Sequence, residues 1–85
     1  MKQWEKTRED VLSGKSDANI RFDDLCKMLV ALGFKQRITK SSHHIFTMPN
    51  VREIINVQPD GNGKAKKYQI RQLRSLIHAY AIGNQ

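Results

Sequence analysis

Residues 34–58 read FKQRITKSSHHIFTMPNVREIINVQ, and this stretch decides the fold. It holds three runs rich in β-branched and aromatic residues, which favour strands. The runs lie at 34–40, 43–48 and 52–58. Because the spacers Ser41-Ser42 and Pro49-Asn50-Val51 are short, consecutive runs are expected to form hairpins. The stretch therefore predicts a three-stranded antiparallel sheet.

Helical patterns lie on both sides of the predicted sheet. Residues 21–32 and 67–81 carry apolar side chains at three- and four-residue spacing, which predicts amphipathic helices. The stripes consist of Phe22, Leu25, Cys26, Leu29 and Leu32 in the first helix and of Ile70, Leu73, Ile77 and Tyr80 in the second. Residues 2–13 predict a further helix with a thinner stripe. The order predicts an α+β domain of α-β-β-β-α topology, which is common to double-stranded-RNA-binding modules, with an extra N-terminal helix.

The positive charge of the chain is confined to one part of the sequence. The 85 residues carry a formal net charge of +7 at pH 7. Residues 1–34 contain six cationic and six acidic side chains, whereas residues 35–74 contain nine cationic and two acidic ones. A localised basic field attracts polyanions, of which nucleic acid is the commonest in the cytosol, but it also suits a surface kept charged for solubility.

Several other classes of protein are poorly supported by the sequence. Cys26 is the only cysteine, so no disulfide can form within the chain, and a lone thiol fits a reducing compartment. The first residues lack the apolar core of a signal peptide, and the longest apolar run, MLVAL, is far too short to span a membrane. We therefore expect a cytoplasmic protein with no membrane partner.

Two adjacent histidines open the second predicted strand. Successive side chains of a strand point to opposite faces, so His43 and His44 cannot bind one metal ion from the same side, and no metal site is expected. The alternation groups His44 with Phe46 and Met48. It leaves open which face of the sheet meets the helices.

Histidine among lysines and arginines suits one reaction in particular. An RNA strand supplies its own nucleophile, the 2′-hydroxyl, and one imidazole can transfer the proton in that attack, which is typically worth about 10² to 10⁴ in rate. Nearby cations stabilise the extra negative charge on phosphorus, and no metal or other cofactor is required. A strand histidine taken alone is nevertheless more often an ordinary polar residue than a catalyst.

Cationic side chains that follow the third predicted strand are candidates for phosphate binding. Lys64, Lys66 and Lys67 stand at the start of the last predicted helix, where the backbone attracts anions, but a solvated loop is the more usual role of such lysines. Arg71 and Arg74, three residues apart, share one face of that helix, so they either line a groove or face water.

The segments LVALGFKQRITKSSHHIFTMP and IINVQPDGNGKAKKYQIRQLRSLI combine several recognisable features. The first has a helix ending at Gly-Phe, a basic strand, and a serine two positions before a histidine. The second has a strand, a proline-containing loop and a closing basic helix. Together they resemble the HicA family of toxin mRNA interferases, which have a double-stranded-RNA-binding-like fold. The resemblance covers roughly residues 21–80.

The resemblance implies a domain division and a site. Residues 21–82 are expected to form the HicA-like domain, and residues 1–20 an N-terminal helix and connector. His44 matches the histidine to which the family assigns catalysis, and Ser42 matches the serine of its Gly-Ser-x-His motif. This sequence departs from the family at Ser41, where glycine is usual. It also departs at Gln58, since many members have a second histidine beside the following proline.

The resemblance also implies a function. The expected protein is the toxin of a type II toxin–antitoxin system, an endoribonuclease that cleaves mRNA with His44 as the general acid and base. The residues expected to bind RNA are Lys40, Ser42, Lys64, Lys66, Lys67 and Arg71. The expected protein partner is a HicB-type antitoxin, while the oligomeric state stays open. Two alternatives are a non-catalytic double-stranded-RNA-binding module and an interaction protein whose basic face serves only an acidic partner.

Overall fold

The order of helices and strands in the computed structural model agrees with the predicted order. The structure describes residues 2–40 and 43–82. Its elements are α1 (Gln3–Ser13), α2 (Phe22–Ala31), β1 (Lys35–Ile38), β2 (His44–Thr47), β3 (Ile55–Val57) and α3 (Lys67–Tyr80). The α+β fold with an N-terminal helix is thus confirmed. In the described part of the chain, none of the helices combines the length and the hydropathy of a membrane span.

The sheet is antiparallel with strand order β1-β2-β3, so β2 lies at its centre. Phe46 of β2 lies opposite Gln36 of β1 and Ile55 of β3. Directly opposed residues share a face of the sheet. Phe46, Ile55 and Val57 are buried in one core together with residues of the helices, so this face is the one that the helices cover. His44 belongs to it as well, because it lies two residues from Phe46 in the same strand.

The helices α2 and α3 supply the other half of the core. Their buried apolar side chains are Phe22, Leu25, Met28 and Leu29 in α2 and Ile70, Leu73, Leu76 and Ile77 in α3. A Schellman motif ends α2: the N–H of Gly33 donates to the carbonyl of Val30, and the N–H of Phe34 to that of Leu29, each at 3.0 Å. Gly33, at which the helix ends, has a φ of 107°, a left-handed conformation that glycine adopts at little cost.

The N-terminal helix α1 is docked onto the other two helices. Val11 is fully buried, and α1 contacts both α2 and α3. Arg74 of α3 donates to both carboxylate oxygens of Asp17, at 3.0 and 2.8 Å, and to the carbonyl of Val11 at 3.0 Å. Gly14 ends α1 so close to Arg74 that a Cβ atom would lie 2.9 Å from the guanidinium. Arg74 is therefore a structural residue, whereas Arg71 is exposed.

The two edges of the sheet differ. The buried side chain of Gln69 covers the edge of β3: its amide nitrogen donates to the carbonyl of Asn56 at 3.2 Å, and its oxygen accepts from the N–H of Gln58 at 3.3 Å. These are hydrogen bonds of the kind that a neighbouring strand would make. The opposite edge is β1, and all four of its residues are exposed.

The connection from β2 to β3 is longer than the sequence predicts. Asn50 has a left-handed conformation, with a φ of 71°, and the N–H of Val51 donates to the carbonyl of Met48 at 3.1 Å. This turn leads the chain away from β2, so β3 begins at Ile55 instead of position 52. The central position of β2 and the antiparallel pairing are unaffected.

Trp4 of α1 lines a cavity of about 380 Å³. Met48, Val51 and Tyr80 form other parts of its wall. Because Met48 follows the last residue of β2, the cavity lies at the end of the sheet opposite to His44.

We expect Arg74→Ala to lower the free energy of unfolding by about 2 kcal/mol, because it leaves the half-buried carboxylate of Asp17 without its cation. Urea unfolding followed by circular dichroism measures this change. The control is Arg71→Ala, which removes an exposed arginine from the same helix and should change the free energy by no more than about 0.5 kcal/mol. Equal effects of the two substitutions would contradict the structural role of Arg74.

Candidate functional site

One end of the sheet brings the start of β2 together with the ends of the two outer strands. His44 pairs there with Ile38, the last residue of β1, and with Val57, the last residue of β3. A β-bridge between Pro59 and Ala65 returns the chain to this end of β3 just before α3 begins. The histidines and the start of α3 are therefore neighbours in the fold.

The helix α2 begins at the same end. Arg21 and Lys64 form a β-bridge, and the N–H of Phe22 donates to the carbonyl of Gly63 at 3.0 Å. Two helix N-termini thus meet beside the histidines. Asp23 and Asp24 lie in the first turn of α2, whereas the first turn of α3 carries no acidic residue. We call this region the histidine end; it comprises residues 20–22, 38–40, 43–44 and 57–67.

The ring of His44 lies at the rim of the core and is partly exposed. It packs edge-on against the ring of Phe22, with centroids 4.9 Å apart and planes at 78°. Its Nδ1 lies 2.9 Å from the amide nitrogen of Gln36. Within residues 2–40 and 43–82, Nε2 has no hydrogen-bond partner. The ring is therefore oriented by an aromatic and an amide neighbour, while one nitrogen is left for a further hydrogen bond.

His43 lies on the opposite face of the sheet, in a cluster of amide side chains. The amide nitrogen of Gln58 lies 2.7 Å from Nε2 and 3.0 Å from Nδ1 of the ring, and that of Asn56 lies 3.3 Å from Nδ1. Lys66 donates to the oxygen of Gln58 at 3.5 Å. An ammonium group can only donate, so the Gln58 oxygen faces Lys66 and its NH₂ group faces His43. The Gln58 amide thus bridges Lys66 and the ring of His43.

The predicted cations gather mainly at the start of α3. Lys66 occupies the N-cap position without a side-chain capping bond, and no acidic residue lies in the first turn. Lys67 and Arg71 follow on the exposed surface, one turn apart. Lys64 donates to the side-chain oxygen of Asn19 at 3.3 Å. These side chains surround the part of the molecule where backbone N–H groups already favour an anion.

The remaining predicted residues, Lys40 and Ser42, stand between β1 and β2 in the sequence. Lys40 is exposed, two residues after the end of β1. Ser42, which the motif predicts to bind RNA, and its neighbour Ser41 lie outside the described residues. Among the residues that are described, Lys66 is connected to His43 through Gln58, but no hydrogen bond joins His44 to a lysine or arginine.

A carboxylate fixes the loop that carries Lys64. Asp60 accepts hydrogen bonds from the N–H groups of Asn62 and Lys64 at 2.8 and 3.0 Å. These two bonds hold the pKa of Asp60 below its ordinary value of 3.8, with a smaller contribution from the nearby lysine charges. The carboxylate is therefore ionised at neutral pH and committed to the shape of the loop.

Comparison with known families identifies the domain that carries this site. Residues 22–79 match the model described as HicA toxin of bacterial toxin-antitoxin. The chain belongs to the HicA toxin family. It is thus the toxin component of a toxin–antitoxin system. No curated protein and no solved structure shows a significant match to the chain.

The matched region of this HicA-family toxin contains all the predicted site residues, whereas α1 lies outside it. Sequence reasoning missed Phe22 and Gln36, the two neighbours that orient His44. The sequence holds a signal for Gln36, because alternation along a strand places Gln36 and Ile38 on one face. Phe22 was predicted as a core residue, and nothing in the sequence indicates that its ring faces a histidine.

The lone thiol of the toxin is partly buried beside the core. Burial, with a smaller contribution from the charge of Asp23, raises the pKa of Cys26 from 9.0 to about 11. The thiol is therefore protonated at neutral pH and is a poor nucleophile. In the described residues, no three potential metal-binding side chains of histidine, cysteine, aspartate or glutamate come together.

At pH 8, we expect Cys26 of the folded toxin to react with iodoacetamide roughly 100-fold more slowly than in urea, because a pKa two units higher leaves roughly one hundredth as much thiolate. Mass spectrometry of samples quenched at intervals measures both rates. A native rate equal to that of the unfolded protein would show that the thiol is exposed and ionises freely.

Proposed function

We propose that this toxin is an endoribonuclease that cleaves mRNA, with His44 as its general acid and base and without a metal or other cofactor. The observation that supports this proposal most directly is the placement of His44. Its ring is partly exposed, oriented by Gln36 and Phe22, and located at the end of the sheet where helix N-termini and cations meet. A ring sealed inside the core would be unable to reach a phosphodiester.

In the proposed reaction, the 2′-oxygen of a ribose attacks the adjacent phosphorus. An oxygen–phosphorus bond forms and the bond from phosphorus to the 5′-oxygen of the next nucleotide breaks. His44 takes the proton of the 2′-hydroxyl and delivers it to the departing 5′-oxygen, so no net proton is consumed. The products are a 2′,3′-cyclic phosphate and a 5′-hydroxyl end.

Gln36 suits this proton transfer because a neutral amide can serve both protonation states of the ring. With its NH₂ group turned to Nδ1, Gln36 donates to a ring that carries its proton on Nε2, a form that can supply a proton there but cannot take one. When the amide turns over, its oxygen accepts from the N–H of Nδ1, which leaves Nε2 of the neutral ring free to take the 2′-hydroxyl proton and also suits the charged ring. A carboxylate in its place would favour the charged form alone. Gln36 is thus proposed as a positioning residue.

The cations at the histidine end are proposed to bind phosphates on both sides of the cleaved bond. Lys64, Lys66, Lys67 and Arg71 lie at or near the start of α3, and Lys40 lies near the β1–β2 turn. Since none of them hydrogen-bonds to His44 among the described residues, they are suited to neighbouring nucleotides of the RNA. Ser42 is proposed to assist them.

The toxin is proposed to act in the cytoplasm, where mRNA is found, and to be inhibited by a HicB-type antitoxin. Residues 21–82 are proposed as the catalytic domain, with residues 1–20 as an appended helix and connector. The bond between Arg74 and Asp17 attaches this appended segment to the domain.

We expect His44→Ala to reduce cleavage of single-stranded RNA by about 10² to 10⁴, since general acid–base catalysis contributes about that factor. The measurement uses purified protein and a labelled RNA in EDTA. His78→Ala is the matched control, because His78 is an exposed histidine near the other end of α3 and should leave the rate unchanged.

Cleavage by His44→Ala at the wild-type rate would contradict the assignment of His44. A wild-type protein that binds RNA without cutting it would favour the competing function, a non-catalytic RNA-binding module. Growth arrest on expression separates these outcomes in cells, because the catalytic proposal predicts that His44→Ala relieves it.

We expect Lys67→Ala and Arg71→Ala each to weaken RNA binding and to reduce the slope of log affinity against log salt by about 0.7, the value for one phosphate contact on a single strand. Binding is measured in the His44→Ala background, so that the RNA stays intact. Lys15→Ala removes an exposed lysine from the connector after α1 and should leave the slope unchanged. Identical slopes in all four proteins would place the phosphates elsewhere.

A further inference from the structure

The backbone of β1 presents unpaired hydrogen-bonding groups at the edge of the sheet. The N–H of Thr39 donates to the carbonyl of His43 at 3.0 Å, so these two residues form a hydrogen-bonded pair. Such pairs alternate along antiparallel strands, and Arg37 is therefore the next residue of β1 that bonds to β2. The N–H and C=O groups of Gln36 and Ile38 point away from the sheet. On the opposite edge, a glutamine side chain occupies the corresponding groups of β3.

Exposed apolar side chains lie on and beside this open edge. Ile38 of β1 and Val30 of α2 have 60% and 50% of their surface exposed. Ile54, which is 62% exposed, precedes β3 and lies across β2 from this edge. Val30 lines a groove of about 320 Å³ between α2 and β1. Ile54 lines one of about 420 Å³ on the outer face of the sheet, together with Ile45. A strand added at β1 would therefore meet apolar surface of α2 on one face and the cationic side chains of β1 on the other.

The rim of these grooves is cationic. Lys27 lines the groove beside α2, and Lys35 and Arg37 line the groove on the outer face. Among the residues that the structure describes, no acidic side chain lines either groove. An occupant with acidic side chains beside its apolar ones therefore fits best.

A second copy of the toxin fits this edge poorly. In a symmetric antiparallel pair, Lys35 and Arg37 of one copy would lie close to the same residues of the other, and like charges opposed across strands are destabilising. RNA also fits poorly, because it has no backbone pattern that matches the outward-pointing groups of Gln36 and Ile38.

We propose that the β1 edge binds an extended segment of the toxin's protein partner, apolar and acidic in composition, which adds to the sheet as a fourth strand. Such a strand would lie beside Gln36, the residue that hydrogen-bonds to His44. It would thereby cover the approach to that ring from the β1 side. This inhibitory consequence rests on the proposed role of His44, whereas the docking itself does not.

Hydrogen exchange tests the docking directly. The probe is the protein encoded by the gene that adjoins the toxin's own, mixed with the full-length toxin. We expect the amides of Gln36 and Ile38 to exchange at least tenfold more slowly in the complex, measured by NMR. Unchanged exchange at both amides, with protection elsewhere on the toxin, would overturn the proposal. Failure of the two proteins to form a complex would overturn it as well.

Charge reversal provides a second test with a matched control. The double substitution Lys35→Glu and Arg37→Glu should weaken the complex roughly tenfold or more, because it places like charges against the partner. The control, Lys6→Glu with Lys15→Glu, makes the same change of net charge on exposed residues of α1 and the connector. It should change the dissociation constant less than about twofold, and equal weakening by both pairs would contradict a contact at β1.

A proline substitution tests the backbone hydrogen bonds. Ile38→Pro removes an outward-pointing N–H and leaves the pairing with β2 intact, so it should weaken the complex at least fivefold relative to Ile38→Val. Equal affinities would contradict strand addition. RNA cleavage by the unbound toxin is measured separately: a wild-type toxin that fails to cleave would overturn the proposed function, while the binding results would still decide the docking.

Discussion

Burial of Phe46 is the constraint on which the arrangement of the site depends. Phe46 is fully buried at the centre of the sheet, and burying a phenylalanine side chain stabilises the fold by about 2–3 kcal/mol. A slip of β2 by one residue would turn this ring to the outer face, so its register is strongly determined. The same alternation places His44 against Phe22 and sends His43 to the outer face. His43 and His44 thus have different surroundings because the burial of Phe46 determines the register of β2.

The number of strands determines which groups meet the histidines. The chain reverses direction at each connection from α2 through β1, β2 and β3 to α3. With three strands between them, both helices begin at the end where β1 and β3 finish and β2 starts. The partial positive charges of two helix N-termini and the lysines of the β3–α3 connection therefore converge there. The positive field around His44 follows from topology as much as from composition.

The sequence was sufficient for the elements, their order and the strand pairing, because these depend on apolar periodicity and on glycine and proline positions. It was also sufficient to place Phe46 and His44 on one face. It was not sufficient to distinguish Arg71 from Arg74, since helical spacing gives both the same face, and only the docking of α1 brings Asp17 to Arg74. Gln69 is a similar case: its role depends on lying beside the edge of β3, a tertiary contact that local pattern does not encode.

The two acidic residues of the segment 35–74 are both engaged in hydrogen bonds, and within the described residues neither of them hydrogen-bonds to a histidine. Asp60 accepts two backbone hydrogen bonds within the loop before α3. Glu53 accepts a hydrogen bond from Tyr80 at 2.6 Å, near the cavity at the other end of the sheet. Both histidines instead have glutamine neighbours, Gln36 and Gln58. A neutral amide orients an imidazole without favouring its charged form, as a carboxylate would. Such a neighbour suits the proton transfer that we propose for His44.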